Sequence, residues 1–209
     1  MKSKNKAIIV ANGSFPRHPL ALELLKHAPY LICCDGGAND LIAFGLEPDV
    51  IVGDGDSISA ENKARYQDRM HIITEQETND LTKSVNYAVE QGYTDLTILG
   101  ATGRREDHTL GNISLLLDYQ HLVDVRMITD YGIFYPCKDL FEMELDLNSQ
   151  VSIFNFGAKH LATDDLEYPI RDFTSWWQGT LNSTIHPKVK ITGEGLFLVY
   201  VAFKDSTKD

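Results

Sequence analysis

Over roughly the first 130 residues, short apolar runs alternate with segments whose apolar side chains recur at helical spacing, the pattern of a mostly parallel sheet flanked by helices. The runs Ala7 to Ala11, Tyr30 to Cys34, Val50 to Val52, Met70 to Ile73, Leu96 to Leu99 and Val123 to Thr129 are the predicted strands. Between them, Leu81, Val85, Ala88 and Val89 form one helical face, and Leu110, Ile113, Leu116 and Leu117 form another; both suit packing on the sheet. From about Gly132 the helical period disappears. Glu142 to Leu147 and Gln150 to Phe156 alternate in the manner of strands, and Leu196 to Phe203 reads as a further strong strand. The expected fold is α/β: a doubly wound, mostly parallel α/β/α domain over residues 1–132, then a small antiparallel β-sandwich over 133–209.

Composition narrows what such a chain can do. Of 209 residues, 43% are hydrophobic, enough for a sizeable core, and the net charge of −11 argues against nucleic acid as a partner. Cys33, Cys34 and Cys137 are odd in number, and the first two are adjacent within an apolar run, which suits buried thiols in a reducing compartment. The basic start Met1 to Lys6 leads into too few apolar residues for a signal peptide, and no stretch approaches the roughly 18 apolar residues of a membrane helix. A cytoplasmic protein without a membrane partner is expected.

The candidate chemistry gathers at the predicted strand ends, where an open α/β sheet binds its ligand. There stand Asn12-Gly13-Ser14, Asp35-Gly36-Gly37, Gly53 to Ser57, Thr78-Asn79-Asp80 and Gly100 to His108. In Gly53-Asp54-Gly55-Asp56-Ser57 the two aspartates project to one side of an extended segment, and their mutual repulsion calls for a cation. Mg²⁺, which takes one or two carboxylates alongside phosphates and waters, fits that requirement. An Asp-Gly turn followed by a helix cap explains the same residues without chemistry. Asp80 and Lys83 share a helix face, either as an ordinary helix-start pair or as a metal ligand and a phosphate-binding charge. In Gly100 to His108, Arg104 and Arg105 offer forked donors for phosphate, and Asp107 suits the cap of a helix beginning near Thr109. Neither Gly-x4-Gly-Lys-Ser/Thr nor Gly-x-Gly-x-x-Gly is present, so phosphates would be held by metal, arginine and helix N-termini.

Asp35-Gly36-Gly37-Ala38-Asn39, Gly53 to Ser57, Thr78 to Lys83 and Gly100 to Asn112, with Ala11-Asn12-Gly13 and Leu166 to Ile170, resemble in order and spacing the thiamine pyrophosphokinase family. The resemblance implies a nucleotide domain followed by a β-sandwich, a homodimer with thiamine at the subunit interface, and pyrophosphoryl transfer from ATP to thiamine with Mg²⁺. It further implies Asp54, Asp56, Asp80 and Asp35 at the metal, and Lys83 and Arg105 on phosphates. Asn12, Gly36, Gly37 and Asn112 fall at the nucleotide, Asp107 completes the site or accepts a proton, and Tyr168 and Asn182 meet thiamine. A thiazolium over Tyr168 gains ~0.5 to 2 kcal/mol. Three positions depart from the family pattern: Gly55 replaces an aromatic, Arg104 a glycine and Leu181 a serine. A Mg²⁺-dependent phosphohydrolase and a non-catalytic nucleotide or thiamine sensor are the alternatives.

Overall fold

A computed structural model describes residues 5–204, which divide into two compact units meeting between Asp130 and Tyr131. The first holds six strands, β1 (Lys6–Val10), β2 (Leu31–Cys34), β3 (Val50–Gly53), β4 (Met70–Ile72), β5 (Asp95–Leu99) and β6 (Asp124–Ile128). They pair in parallel in the order β6-β5-β1-β2-β3-β4. Every residue of β2, β3 and β5 is buried, which explains why β2 and β3 read as continuous apolar runs instead of alternating ones. The chain winds outward from β1 to β4 and then returns to the far side of β1 for β5 and β6. That reversal leaves a crevice beyond the carboxyl ends of β1 and β5.

The helices α1 (Pro19–Lys26), α2 (Gly37–Ala43), α3 (Ala60–Arg65), α4 (Asp80–Glu90) and α5 (Glu106–Tyr119) fill the crossovers. Their starts are chemically marked. Pro19 opens α1, the Ser59 hydroxyl accepts from Asn62 N at 3.2 Å at the head of α3, and Asn79 Oδ1 accepts from Thr82 N at 2.9 Å at the head of α4. Leu81, Val85 and Ala88 lay α4 across β1, β2 and β3. One expectation needs correction: α5 begins at Glu106, not near Thr109, so Asp107 lies in the first turn and Arg105 takes the cap position. The carboxylate of Asp107 accordingly engages the Arg105 guanidinium, whose partnership outweighs a cap interaction.

The second unit is antiparallel throughout. Its strands are β7 (Gly132–Glu144), β8 (Gln150–Asn155), β9 (Lys159–Ala162), β10 (Asn182–Ser183) and β11 (Lys188–Ala202). β11 pairs with β7 along most of its length, while one of its halves serves β8 and the other β9. The register shifts between Thr192 and Leu196, where Gly193 and Gly195 stand. Val189, Ile191, Phe197 and Val199 of β11 thereby line one core with Phe141, Val151, Ile153 and Phe173. The alternation expected to run to Leu147 ends at Glu144, where the chain turns through Asn148 at φ 59°.

All three thiols are buried and free. Burial pushes Cys34 and Cys137 up to about 12 and also drives Cys33 well above its ordinary value, where the thiolate that reacts is scarce. The folded protein should therefore take up no aromatic disulfide reagent at mildly alkaline pH and release three equivalents of chromophore once unfolded. Rapid labelling of the native chain would contradict this. No helix among the described residues is long and apolar enough to cross a membrane.

Candidate active site

Asp35 follows β2 directly and holds a positive φ of 33°, a region that few residues other than glycine enter. Two backbone bonds fix it there: its N–H donates to Val52 O on β3, and its carbonyl accepts from Ala38 N to start α2. The carboxylate is buried. Oδ2 accepts from Ser57 N at 2.8 Å, whereas Oδ1 has no partner, a costly state for a buried oxygen unless a ligand supplies one. Gly36 and Gly37 contribute by what they lack. A Cβ on Gly36 would stand 2.4 Å from the Asn12 amide nitrogen, and one on Gly37 would stand 2.7 Å from Val10 O, so both let α2 pack hard against the end of β1.

The acidic turn after β3 closes over Asp35. Its order comes from many small bonds: Asp54 Oδ1 accepts from Asp56 N at 3.2 Å, Gln76 donates to Asp54 Oδ2 at 3.1 Å, and the Ser57 hydroxyl donates to Asp56 Oδ1 at 2.7 Å. Gly53 tolerates no side chain, because a Cβ would fall 2.8 Å from that of Asp35 and 3.3 Å from the Asp80 carboxylate. The outcome is three carboxylates, those of Asp35, Asp54 and Asp56, each presenting an oxygen within 4.8 Å of the others. Burial, followed by the charges of Asp80, Asp56 and Asp54, holds Asp35 above the usual carboxylate range, despite the opposing bond from Ser57. Asp54 is held below that range by its bonds from Gln76 and Asp56 N.

Asp80 stands beside this trio on α4, and Lys83 Nζ donates to its Oδ1 at 3.2 Å. The lysine is only 3% exposed, which an ordinary surface helix-start pair would not require. Both line a cleft of about 540 Å³ together with Asn12, Asp54, Asp56 and Arg105. On its far wall Asn112 donates to Ala101 O at 2.9 Å and accepts from Asn79 at 3.2 Å, tying the head of α4 to the loop after β5. Asn12 is held by Arg104, which reaches its Oδ1 and Asp40 Oδ2 at 2.7 Å each. Arg104 is thus committed to bracing the wall. Arg105 instead grips Asp107 through Nε at 3.0 Å and through Nη2, which holds that carboxyl down at about 2. Asp107 is mostly exposed and lies outside the cleft lining.

Sequence reasoning assigned no role to four contributors here. Gln76 and Ser57 hold the turn's carboxylates, as described. Asn39 on α2 donates to Ser57 O at 3.1 Å and accepts from Ser59 N and the Asn62 amide at 3.0 and 2.9 Å. Lys63 on α3 donates to Gly55 O at 2.7 Å. Asn39 sits inside a motif already singled out, but contacts to backbone carbonyls leave no trace in spacing or composition.

The remaining expected residues belong to the second unit. Tyr168 exposes its ring, at 62% of its surface. Asn182 is buried, and its amide closes a two-way clamp on the backbone of Tyr168, accepting from the N–H at 3.0 Å and donating to the carbonyl at 2.8 Å. With Oδ1 also accepting from Ser183 N, its polar atoms serve to place Tyr168.

Residues 21–127 match the family model for the thiamin pyrophosphokinase catalytic domain, and residues 132–200 match that for the thiamin pyrophosphokinase substrate-binding domain. The chain is 35% identical over 168 residues to the thiamine pyrophosphokinase of Bacillus subtilis strain 168, covering 74% of this chain and 78% of that protein. It is 33% identical over 153 residues to thiamine pyrophosphokinase 1 of Oryza sativa subsp. japonica, covering 61% of this chain and 57% of the rice protein. The chain thus spans about half the length of several of the curated relatives it matches. Among solved structures, a Bacillus subtilis thiamine pyrophosphokinase superposes with a TM-score of 0.79 at 22% identity over 96% of this chain and all of its own. The yeast thiamin pyrophosphokinase does so at 0.77 and 18%, over 97% of this chain and 88% of its own. Both structures share the fold. Because the two family models match in order and one alone takes in more than half of the residues, the chain belongs to the thiamin pyrophosphokinase family.

Proposed function

We propose that the chain transfers the pyrophosphoryl group of ATP to the hydroxyl of thiamine, giving thiamine diphosphate and AMP. The observation that carries this reading is the carboxylate trio with its unpartnered Asp35 oxygen, set beside a polar cleft of about 540 Å³ in a chain of this family. A hard, all-oxygen donor set of this kind fits Mg²⁺, with Asp35, Asp54 and Asp56 as ligands and Asp80 close by. When bound, the ion would neutralise charge on the transferring phosphates.

The other residues divide the work. Buried Lys83 braces Asp80 and presents a fixed positive charge to the cleft, and Asn12 and Asn112 shape the nucleotide wall. Arg105 is free to exchange Asp107 for phosphate oxygens, since both partners are exposed and water screens their pairing. The thiamine hydroxyl oxygen bonds to the β-phosphorus as the bond from that phosphorus to the departing AMP oxygen breaks, and the hydroxyl proton passes to solvent. While Arg105 grips it, Asp107 is too weak a base to accept the hydroxyl proton. Tyr168, set by Asn182, offers the ring on which thiamine stacks. The exposed Trp177, Leu181 and Tyr168 of the second unit support a homodimer, and the three free buried thiols support a cytoplasmic setting.

Incubation with ATP, Mg²⁺ and thiamine tests the reaction. AMP should form only when thiamine is present; AMP or ADP without it would favour the phosphohydrolase, and no turnover would favour the sensor. Tyr168→Ala should raise the KM for thiamine about tenfold while leaving that for ATP unchanged, as expected for a stacking contact made before and during reaction. Arg105→Ala should lower kcat instead.

A further inference from the structure

The acidic turn is held from outside by two residues that touch neither the cleft nor any carboxylate of the trio. Asn39 uses every group of its amide on the segment just past Asp56: its nitrogen donates to Ser57 O, and its oxygen accepts from Ser59 N and the Asn62 side chain. The same Ser57 donates its N–H to Asp35 and its hydroxyl to Asp56. Fixing Ser57 therefore fixes the separation of the two carboxylates that it bridges. On the other side, Lys63 lays its ammonium on Gly55 O, the carbonyl between Asp54 and Asp56. Gly55 has φ 78°, and a Cβ there would lie 3.1 Å from Lys63 Nζ and 3.0 Å from the Met70 methyl, so the bare glycine lets the lysine approach.

We infer that Asn39 and Lys63 are positioning residues which set the cation affinity of the site by holding the acidic turn in its closed form before any ion arrives. Three carboxylates within 4.8 Å repel one another, and an untethered turn would relax by swinging Asp54 and Asp56 outward. Lys63 supplies positive charge to the turn through a carbonyl and occupies none of the trio's carboxylate oxygens. A lysine paired directly with one of them would compete with the ion. Outer partners of this sort typically govern metal affinity by about 10- to 100-fold. The inference rests on the reading of the trio as a metal site.

The test is calorimetric titration of Mn²⁺ into the metal-free protein, with thiamine and ATP absent, alongside the Mg²⁺ dependence of turnover. Asn39→Asp, which keeps an oxygen to accept from Ser59 N and the Asn62 amide and loses the donor to Ser57 O, and Lys63→Met should each weaken Mn²⁺ binding about tenfold. Each should also raise the Mg²⁺ concentration giving half-maximal rate by a similar factor, with kcat at saturating Mg²⁺ and the KM for thiamine near wild type. Lys63→Arg should restore most of the affinity, and Arg65→Met, on the same helix but paired with Glu47, should change nothing. Asn39→Asp and Lys63→Met proteins that bind Mn²⁺ as tightly as wild type would overturn the positioning role while leaving the metal site intact. A wild-type chain whose Mn²⁺ binding survives Asp54→Asn would remove the site reading itself. Should either variant fold poorly, Gly55→Ala separates the lysine from its carbonyl by another route, and unchanged Mn²⁺ affinity in it would equally refute the role of Lys63.

Discussion

Replacing Asp54 or Asp56 by Asn should lower turnover by roughly 10³-fold, the loss expected when about 4 kcal/mol of transition-state charge stabilisation disappears. Neither side chain supports the core. Asp54 accepts from the Asp56 N–H on one oxygen and from Gln76 on the other, and Asp56 accepts from the Ser57 hydroxyl; Asp54→Asn keeps one of its two contacts on an exposed turn, and Asp56→Asn can keep its own. The far-ultraviolet spectrum and the melting temperature should therefore stay close to wild type, while Mn²⁺ titration shows a large fall in affinity. Near-normal activity in both variants would reduce the motif to a turn and a helix cap.

Asp35→Asn should lose activity on the same scale yet make the metal-free protein more stable. The wild-type carboxylate is buried and faces the charges of Asp54, Asp56 and Asp80, and those pressures raise its pKa. A group whose pKa is higher in the folded state favours folding when protonated and withdraws that support as pH rises through the folded value. At neutral pH the charged Asp35 is thus a burden. Asn keeps an acceptor for Ser57 N and turns an NH₂ toward the neighbouring carboxylates, where Oδ1 now has no partner. A gain of about 1 kcal/mol, or roughly 2 to 4 °C in melting temperature, is expected in chelator. The gain should shrink toward pH ~4, where the carboxyl protonates in both states. Excess Mg²⁺ should reverse the ranking by stabilising only the wild type. A variant less stable than wild type in chelator would show that Asp35 serves the fold instead of opposing it.

The middle of the parallel sheet was legible because β2, β3 and β5 are buried throughout and end at glycine or aspartate, so Val50 to Gly53 and Leu96 to Leu99 announce both a strand and a ligand-facing end. The start of α5 was hidden. Glu106 to Thr109 are polar, and the apolar spacing begins only at Leu110, a full turn inside the helix. β7 was obscured by Pro136 and β11 by Gly193 and Gly195, residues that local propensity excludes from strands but that pairing over a dozen positions overrides. At the site, acidic residues advertised themselves by clustering. Lys83 stood out through its spacing from Asp80, but its burial did not, since nothing in the spacing distinguishes a buried lysine from an exposed one. The bracing by Asn39, Lys63 and Arg104 was equally silent, for each acts across segments that only the fold makes adjacent.

β1 lies between β2 and β5, pairing with one at residue 31 and with the other from residue 95 onward. Asp35 and the acidic turn end the neighbouring strands β2 and β3 and come together through a short loop, at low cost in chain entropy. The opposite cleft wall forms only when Gly13 and Ser14 reach the carbonyls of Gly100 and Thr102, at 2.6 and 2.8 Å, across a far larger loop. Closing so long a loop costs more chain entropy than bringing the first pair together. During synthesis, the carboxylates that follow β2 and β3 leave the ribosome well before β5 and the loop after it, so the cleft is completed only once the later part of this unit has been made.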